Sequence, residues 1–163
     1  LTAVSCWPEA LAGHGASTAL LDTLDGVQQH SAKAMSSTLR PHDDVAPTRQ
    51  GNYAFRQFTT PSANWDEFLV LCAGAWPGFE SSYDSQVIGL WRFADAEASV
   101  VDSLLLTRRP DLAMWERSKI PADAAQAEVR RKLSRRYDLC TSTVVYTTTL
   151  LTASDVEDTA RWT

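Results

Sequence analysis

The order of strand-like and helix-like segments between residues 52 and 152 most constrains how this chain can fold. Runs rich in β-branched and aromatic residues favour strands. They alternate with longer stretches whose apolar residues recur every three or four positions, as on one face of a helix. Along the chain the order is strand, helix, strand, strand, helix, strand. The sequence therefore predicts an α+β architecture.

Four segments carry the strand prediction. They run from Tyr53 to Phe58, from Gln86 to Phe93, from Val100 to Thr107 and from Thr141 to Thr152. The third is apolar on both alternating faces near its end, at Leu104-Leu105-Leu106, which is typical of a strand covered on both sides. We therefore expect both faces of the sheet to be covered.

Two helices lie between the predicted strands. The first is expected to be capped by Asn64, with a glutamate three residues later in a pair resembling a capping box. We expect it to bend or stop at Pro77, because proline lacks an amide proton. The second opens at Asp111, is interrupted at Pro121, and resumes to about Tyr137.

This βαββαβ order matches the ferredoxin-like fold, in which a four-stranded antiparallel sheet carries two helices on one face. We assign the domain to residues 52–153. Since two helices cover one face only, the other face needs a second copy of the sheet or the N-terminal segment.

The N-terminal part is predicted as a helical extension and linker over residues 1–51. Its helix starts at Ser17 and follows an apolar stripe to about Leu39, and residues 40–51 form the linker. The end of the chain, residues 154–163, is an acidic tail. The start has neither an initiator methionine nor a basic region before an apolar stretch. We therefore expect no signal peptide and interpret the sequence as a trimmed or partial chain.

The composition of the chain limits the classes of partner that we expect it to bind. A chain of 163 residues suits one core, and a net charge of −5 disfavours nucleic acid and anionic membranes as partners. No apolar run approaches the roughly 20 residues that span a bilayer. Cys6, Cys72 and Cys140 form no C-x-x-C pair, which indicates reduced thiols in a cytoplasmic protein and no zinc site.

A pattern of residues within the predicted domain carries a resemblance. It includes Trp65 to Phe68, Ala75 to Glu80, the strand Val87-Ile88-Gly89-Leu90-Trp91-Arg92, and the passage from Leu104 to Arg117. The strand and the Leu-Leu-Leu-Thr-Arg passage leading to Trp115-Glu116-Arg117 contribute most of it. In these residues the chain resembles bacterial NIPSNAP-like proteins of the dimeric α/β barrel group. The resemblance covers about residues 52–152.

The resemblance implies a homodimer in which two sheets pack face to face. It also implies a cavity between each sheet and its own helices. Members of the group include cofactor-free monooxygenases, haem-processing proteins, lyases and cyclases, and the fold does not choose among these.

Two residues are candidates for catalysis. Arg56 lies mid-strand, and if it points inward its fixed charge suits a carboxylate, phenolate or enolate. The alternative is an edge arginine whose head lies in solvent. Glu80 shares a helical face with Trp76, and a glutamate beside an indole in an apolar cleft suits general acid or base chemistry. The alternative is a solvated carboxylate at the end of a helix.

Further residues are candidates for lining a ligand site. Trp76, Tyr83, Trp91 and Trp115 are large rings that favour pockets or the core, and Gly89 beside Trp91 leaves room for a ring or a ligand. Arg108 and Arg109, at the end of the third strand, suit an anion near a helix N-terminus or a solvated pair.

A basic run late in the second helix needs no ligand to explain it. The run comprises Arg130, Arg131, Lys132, Arg135 and Arg136, and cations near a helix C-terminus complement its dipole. The histidines, His14, His30 and His42, all precede the domain, which disfavours a histidine-ligated haem or a histidine catalyst.

The leading hypothesis is a homodimeric barrel that binds a small apolar or aromatic metabolite. If it is an enzyme, we expect acid/base chemistry without a metal or organic cofactor, with Arg56 holding an anion and Glu80 moving a proton. Trp76, Tyr83, Trp91, Arg108 and Trp115 would contact the ligand. The alternatives are a non-catalytic binding or assembly module, and a haem-binding or haem-processing protein.

Overall fold

The computed structural model describes residues 31–43, 50–94 and 99–149, with positions 4, 19, 22, 23, 25 and 26. Its strands are β1 (Met35–Arg40), β2 (Asn52–Pro61), β3 (Gln86–Phe93), β4 (Val100–Arg109) and β5 (Ser142–Thr149). Its helices are α1 (Trp65–Tyr83), α2 (Leu112–Arg117) and α3 (Ala124–Asp138). The predicted acidic tail lies outside the described residues.

The strands form one five-stranded sheet in the order β1-β3-β4-β2-β5. Every neighbouring pair is antiparallel. Without β1, the order β3-β4-β2-β5 is compatible with a ferredoxin-like fold. The predicted α+β class and the four predicted strands are therefore confirmed. No helix in the described part of the chain is long and apolar enough to cross a membrane.

Strand β1 corrects the N-terminal prediction. Ala19 and Asp22 are helical, but Gly26 has a φ of +83°, and residues 35–40 are a strand that pairs with β3. The predicted helix therefore does not reach Leu39. Its last residues include two serines and a threonine, which are weak helix formers, and tertiary pairing prevails over the apolar stripe.

Of the predicted bend or stop at Pro77, the stop is wrong, because helix α1 runs through Pro77 to Tyr83. An internal proline costs about 3 kcal/mol. The helix buries Trp76 before Pro77, and Phe79 and Tyr83 after it. Each of these large side chains contributes on the order of 1.5–3 kcal/mol when removed from water, so their burial outweighs the lost hydrogen bond.

The starts of the helices depend on different side chains. Asn64 is the N-cap residue of α1, as predicted, but its side chain makes no capping bond and its amide donates instead to the carbonyl of Leu139 at 3.1 Å. Asp111 caps α2 as its carboxylate accepts from the Met114 amide at 2.7 Å. Asp123 caps α3 in the same way. The predicted break near Pro121 is confirmed, since it lies between α2 and α3.

The main core lies between the sheet and the helices. Alternate residues of the central strands point into it, because side chains on a strand alternate between its faces. Its buried members are Phe58, Phe68, Cys72, Trp76, Phe79, Tyr83, Val87, Leu90, Leu105, Val129 and Leu139.

The opposite face of the sheet carries a second apolar cluster, as the sequence indicated. Its buried members are Tyr53, Phe55, Leu104 and Leu106, and Val4, Met35, Ile88, Trp91 and Phe93 pack against them. Val4 packs on this face. The sequence predicted that either a second copy of the sheet or the N-terminal segment would cover the face, and at Val4 the N-terminal segment does so.

Strand β5 forms one edge of the sheet and is exposed on both faces. Val144 and Tyr146 are opposite Gln57 and Phe55, on the face without helices, and are 43% and 58% exposed. Val145, on the other face, is 39% exposed. The strand contains no charge and no proline, the residues that usually keep an open edge from pairing.

Candidate functional site

Arg56 lies in the middle of β2 and points towards the helices. Its Cα is paired with Leu105 on one side and Val145 on the other. The guanidinium carbon lies 5.6 Å from the ring centroid of Trp115 and 5.4 Å from that of Tyr137. Nη1 donates a hydrogen bond to the Tyr137 hydroxyl. Burial lowers the pKa of Arg56 from its usual value, and Tyr137 offsets part of that effect.

Arg109 ends β4 on the same face of the sheet and is 8% exposed. Its guanidinium carbon lies 4.4 Å from the ring centroid of Trp115 and 4.9 Å from that of Phe79. Its Nε and Nη1 are buried and have no hydrogen-bond partner. Burial, followed by the nearby charge of Arg56, lowers the pKa of Arg109 to about 10. Arg109 therefore keeps its charge at neutral pH.

Arg136 approaches the same place from α3 and is 3% exposed. Its guanidinium lies over the rings of Phe58 and Tyr137, at 4.8 and 5.3 Å from their centroids. Nη1 donates to the Cys72 sulfur at 3.6 Å, and Nε is buried without a partner. The sequence explained the whole basic run by the dipole of the helix C-terminus, and the burial of Arg136 was not expected.

These groups form what we call the arginine cluster: Arg56, Arg109 and Arg136 with the rings of Trp115 and Tyr137. Within the part of the chain that the structure describes, the ion pairs join other residues, and none gives a carboxylate to the cluster. The rings stabilise the cations through their π-faces, by about 0.5–2 kcal/mol each. That is less than the several kcal/mol that burying an unpaired ion costs. The cluster is therefore suited to an anion from outside the chain.

Glu80 lies elsewhere in the sheet–helix layer, where its carboxylate joins three elements. It accepts hydrogen bonds from Arg40 at 2.6 and 3.3 Å and from the amide of Val87 at 2.8 Å. Trp76 is buried next to this pair, with the Arg40 guanidinium carbon 5.5 Å from its ring centroid. Glu80 and Trp76 are thus neighbours, as the spacing predicted, but both contact Arg40, whereas Arg56 lies beside Trp115 and Tyr137.

The other predicted ligand residues are dispersed. Tyr83 is buried, and its hydroxyl donates to the Gln126 side chain at 3.3 Å. Trp91 belongs to the cluster on the face without helices. Arg108 ties the end of β4 to the chain, because its Nε donates to the carbonyl of Gln50 at 2.8 Å and its Nη1 to that of Asp84 at 3.2 Å. Of the predicted residues, the structure brings Arg56 together with Trp115 and, at a different place, Glu80 together with Trp76.

Comparison with known proteins does not assign this chain to a family. No protein-family model matches this chain, and no curated protein matches it significantly. The NIPSNAP-like resemblance therefore rests on the residues quoted above.

Metal-ligand residues do not gather in the described region, where no group of three or more His, Cys, Asp or Glu side chains is placed to hold an ion.

Sequence reasoning missed the roles of Arg136 and Tyr137, and for Arg109 it left open an anion site near a helix N-terminus or a solvated pair. The signals were present. Position 109 alternates with Leu105 along β4, so it faces the helices. Position 136 is seven residues after Val129, so it shares the buried stripe of α3. In both cases the charge of the side chain concealed a periodicity that an apolar residue would have made plain.

Proposed function

We propose that this protein binds a small anionic molecule with an apolar or aromatic body between its sheet and helices. The observation that carries the proposal is the position of Arg56. Its guanidinium carbon lies within 5.6 Å of the ring centroids of both Trp115 and Tyr137, and no described carboxylate pairs with it. A fixed planar cation beside aromatic surface recognises a carboxylate or enolate on a flat, apolar molecule.

Arg56 also has a supporting partner for chemistry. The Tyr137 hydroxyl accepts a hydrogen bond from Arg56, which leaves the phenol proton free to be donated. If the protein is an enzyme, Arg56 would hold the developing anion and a neighbouring hydroxyl or carboxylate would move a proton. Glu80 remains a proposed proton carrier, although its oxygens are engaged by Arg40 and Val87.

Tryptophan fluorescence tests the proposal, since Trp115 lies at the site. Benzoate should quench the emission in a saturable way, and benzamide, which has the same ring without the charge, should not. The variant Arg56→Met should weaken benzoate binding by at least about tenfold, because it removes a charge-assisted contact. Arg92→Met, at an exposed position on β3, is the matched control and should leave the curve unchanged. Equal quenching by benzamide, or an unaffected Arg56→Met variant, would refute the proposal.

A second candidate function is that of an assembly module, and the exposed edge strand favours it. Val144 and Tyr146 extend the apolar surface of Phe55 towards the open edge. We propose a homodimer in which this part of the sheet packs on a second copy, in the manner of the NIPSNAP-like dimeric α/β barrels. Binding and assembly are compatible, because the arginine cluster lies on the other face.

A further inference from the structure

Arg109 is a buried arginine that has no role in the proposed function. It is buried, it is charged at neutral pH, and two of its nitrogens have no partner. Buried donors are nearly always satisfied in proteins, and an orphaned guanidinium is unusual enough to need a reason. Packing does not provide that reason, because a methionine would fill the same space without the cost of a buried charge.

The guanidinium groups of Arg56 and Arg109 lie near the same indole ring, although the two residues are at different positions along their strands. In the pairing of β2 with β4, Arg109 is opposite Asn52, four residues from Arg56. The two positions are therefore separated by about 13 Å along the strands. Their guanidinium carbons nevertheless lie 5.6 and 4.4 Å from the centroid of the same indole, that of Trp115. A flat body with two anionic groups would offer one group to each of these two guanidiniums.

The number of buried positive charges also favours a ligand with two negative charges. Arg56, Arg109 and Arg136 are positive, and within the described residues no acidic side chain pairs with any of them. Each of Arg56 and Arg136 also lowers the pKa of Arg109, so the three groups lie within electrostatic reach of one another. A ligand with a single negative charge would leave two uncompensated cations. A dianion pairs with Arg56 and Arg109 and leaves Arg136, which is enclosed by rings and the Cys72 thiol.

We infer that the ligand is a planar dianion, an aromatic or unsaturated dicarboxylate, with one carboxylate at Arg56 and the other at Arg109 beside Trp115. This inference rests on the proposed function and makes it more specific. Carboxylates suit guanidinium groups, because the edge of a guanidinium matches the two oxygens of a carboxylate in one plane.

Isothermal titration calorimetry at neutral pH tests it with three probes: benzoate, isophthalate and phenyl phosphate. Isophthalate should bind at least about tenfold more tightly than benzoate, as expected for one added charge-assisted pair. Arg109→Met should bring isophthalate down to the affinity of benzoate and leave benzoate unchanged. Arg56→Met should weaken both. The control Arg131→Met, on the exposed side of α3, should change neither.

The outcomes separate the inference from the proposed function. If benzoate and isophthalate bind equally, or if Arg109→Met weakens the binding of both alike, the ligand is not a dianion held by Arg109. The proposed anion-binding function would still stand. Tighter binding of phenyl phosphate than of isophthalate would overturn the dicarboxylate. No binding of any probe would overturn both proposals. Arg109→Gln provides a second variant that keeps a polar side chain, and circular dichroism shows whether each variant is folded.

Discussion

The Arg40 guanidinium donates hydrogen bonds to both carboxylate oxygens of Glu80, at 2.6 and 3.3 Å. The pair connects β1, an edge strand outside the predicted βαββαβ unit, to helix α1. Because Glu80 also accepts from the Val87 amide on β3, one carboxylate holds three elements together. Whatever chemistry Glu80 performs, it contributes to the attachment of β1.

Replacing Glu80 with Gln therefore has a structural consequence that can be measured. The variant keeps the shape and loses the charge, and the pair is about one quarter exposed, so we expect a loss of about 1–2 kcal/mol in the free energy of unfolding. Urea denaturation measures it. Arg40→Met should cost a similar amount, and the double variant should cost less than the sum because the two residues interact.

The same Glu80→Gln variant tests the catalytic prediction. If Glu80 moves the proton, turnover of an identified substrate should be lost while the variant stays folded. Undiminished turnover, together with the loss of stability, would leave Glu80 with a structural role alone.

Replacing Arg109 is expected to stabilise the protein, whereas replacing Glu80 is expected to destabilise it. Its pKa of about 10, lowered from the usual value mainly by burial, means that the fold disfavours the charged form. The shift corresponds to about 3 kcal/mol. Arg109→Met should therefore stabilise the ligand-free protein by about 1–3 kcal/mol, as seen when buried charges are replaced by apolar residues of similar size. Urea denaturation measures the gain, and Arg131→Met, which is exposed, should change stability by less than about 0.5 kcal/mol.

The pH dependence of that gain follows from the direction of the shift. Arg109 is charged in the folded and unfolded states below about pH 10, so the penalty is fully present at neutral pH. As the pH rises above about 10, the folded state releases the proton before the unfolded state does, and the penalty declines. The stability difference between Arg109→Met and the wild type should therefore be constant near neutral pH and shrink above pH 10. A difference that grows there would contradict the assignment.

The fold was largely predictable, because strand and helix periods do not depend on distant contacts. The positions of β2 to β5 and the break near Pro121 follow from them. Strand β1 was not predictable in this way, since its Ser-Ser-Thr sequence is a weak signal and its pairing with β3 is a tertiary effect. The site was only half predictable: Arg56 and Trp115 were named, whereas Arg136 was explained by the dipole of the helix C-terminus and its burial was not foreseen.

The edge strand β5 gives a prediction about assembly. Changing Val144 and Tyr146 together to Glu places two charges on the face without helices, and a dimer through this face should dissociate to monomer. Size-exclusion chromatography with light scattering measures the mass in solution. Val145→Glu is the matched control, because it lies on the same strand and faces the other way. A wild-type protein that is monomeric, or a dimer that survives the double change, would exclude this interface.

Gly89 tests the position of Trp91, which was predicted to contact a ligand. A Cβ at Gly89 would lie 2.5 Å from Cζ2 of the Trp91 ring and 2.8 Å from Cδ of Pro41. The space that the glycine leaves is therefore filled by the indole. We expect Gly89→Ala to destabilise the protein by about 1–3 kcal/mol, the usual cost of overpacking. Thermal or urea unfolding measures this change.

Two further variants make the Gly89 test specific. Adding Trp91→Leu should recover part of the loss, because the ring that meets the new methyl group is gone. Gly74→Ala is the matched control: its Cβ meets only the flexible end of Lys132, at 3.4 Å, and alanine in a helix should stabilise by up to about 1 kcal/mol. If Gly89→Ala were as harmless as Gly74→Ala, the indole would have to lie elsewhere. Trp91 would then again be free to contact a ligand, and the apolar cluster on the face without helices would lose its largest ring.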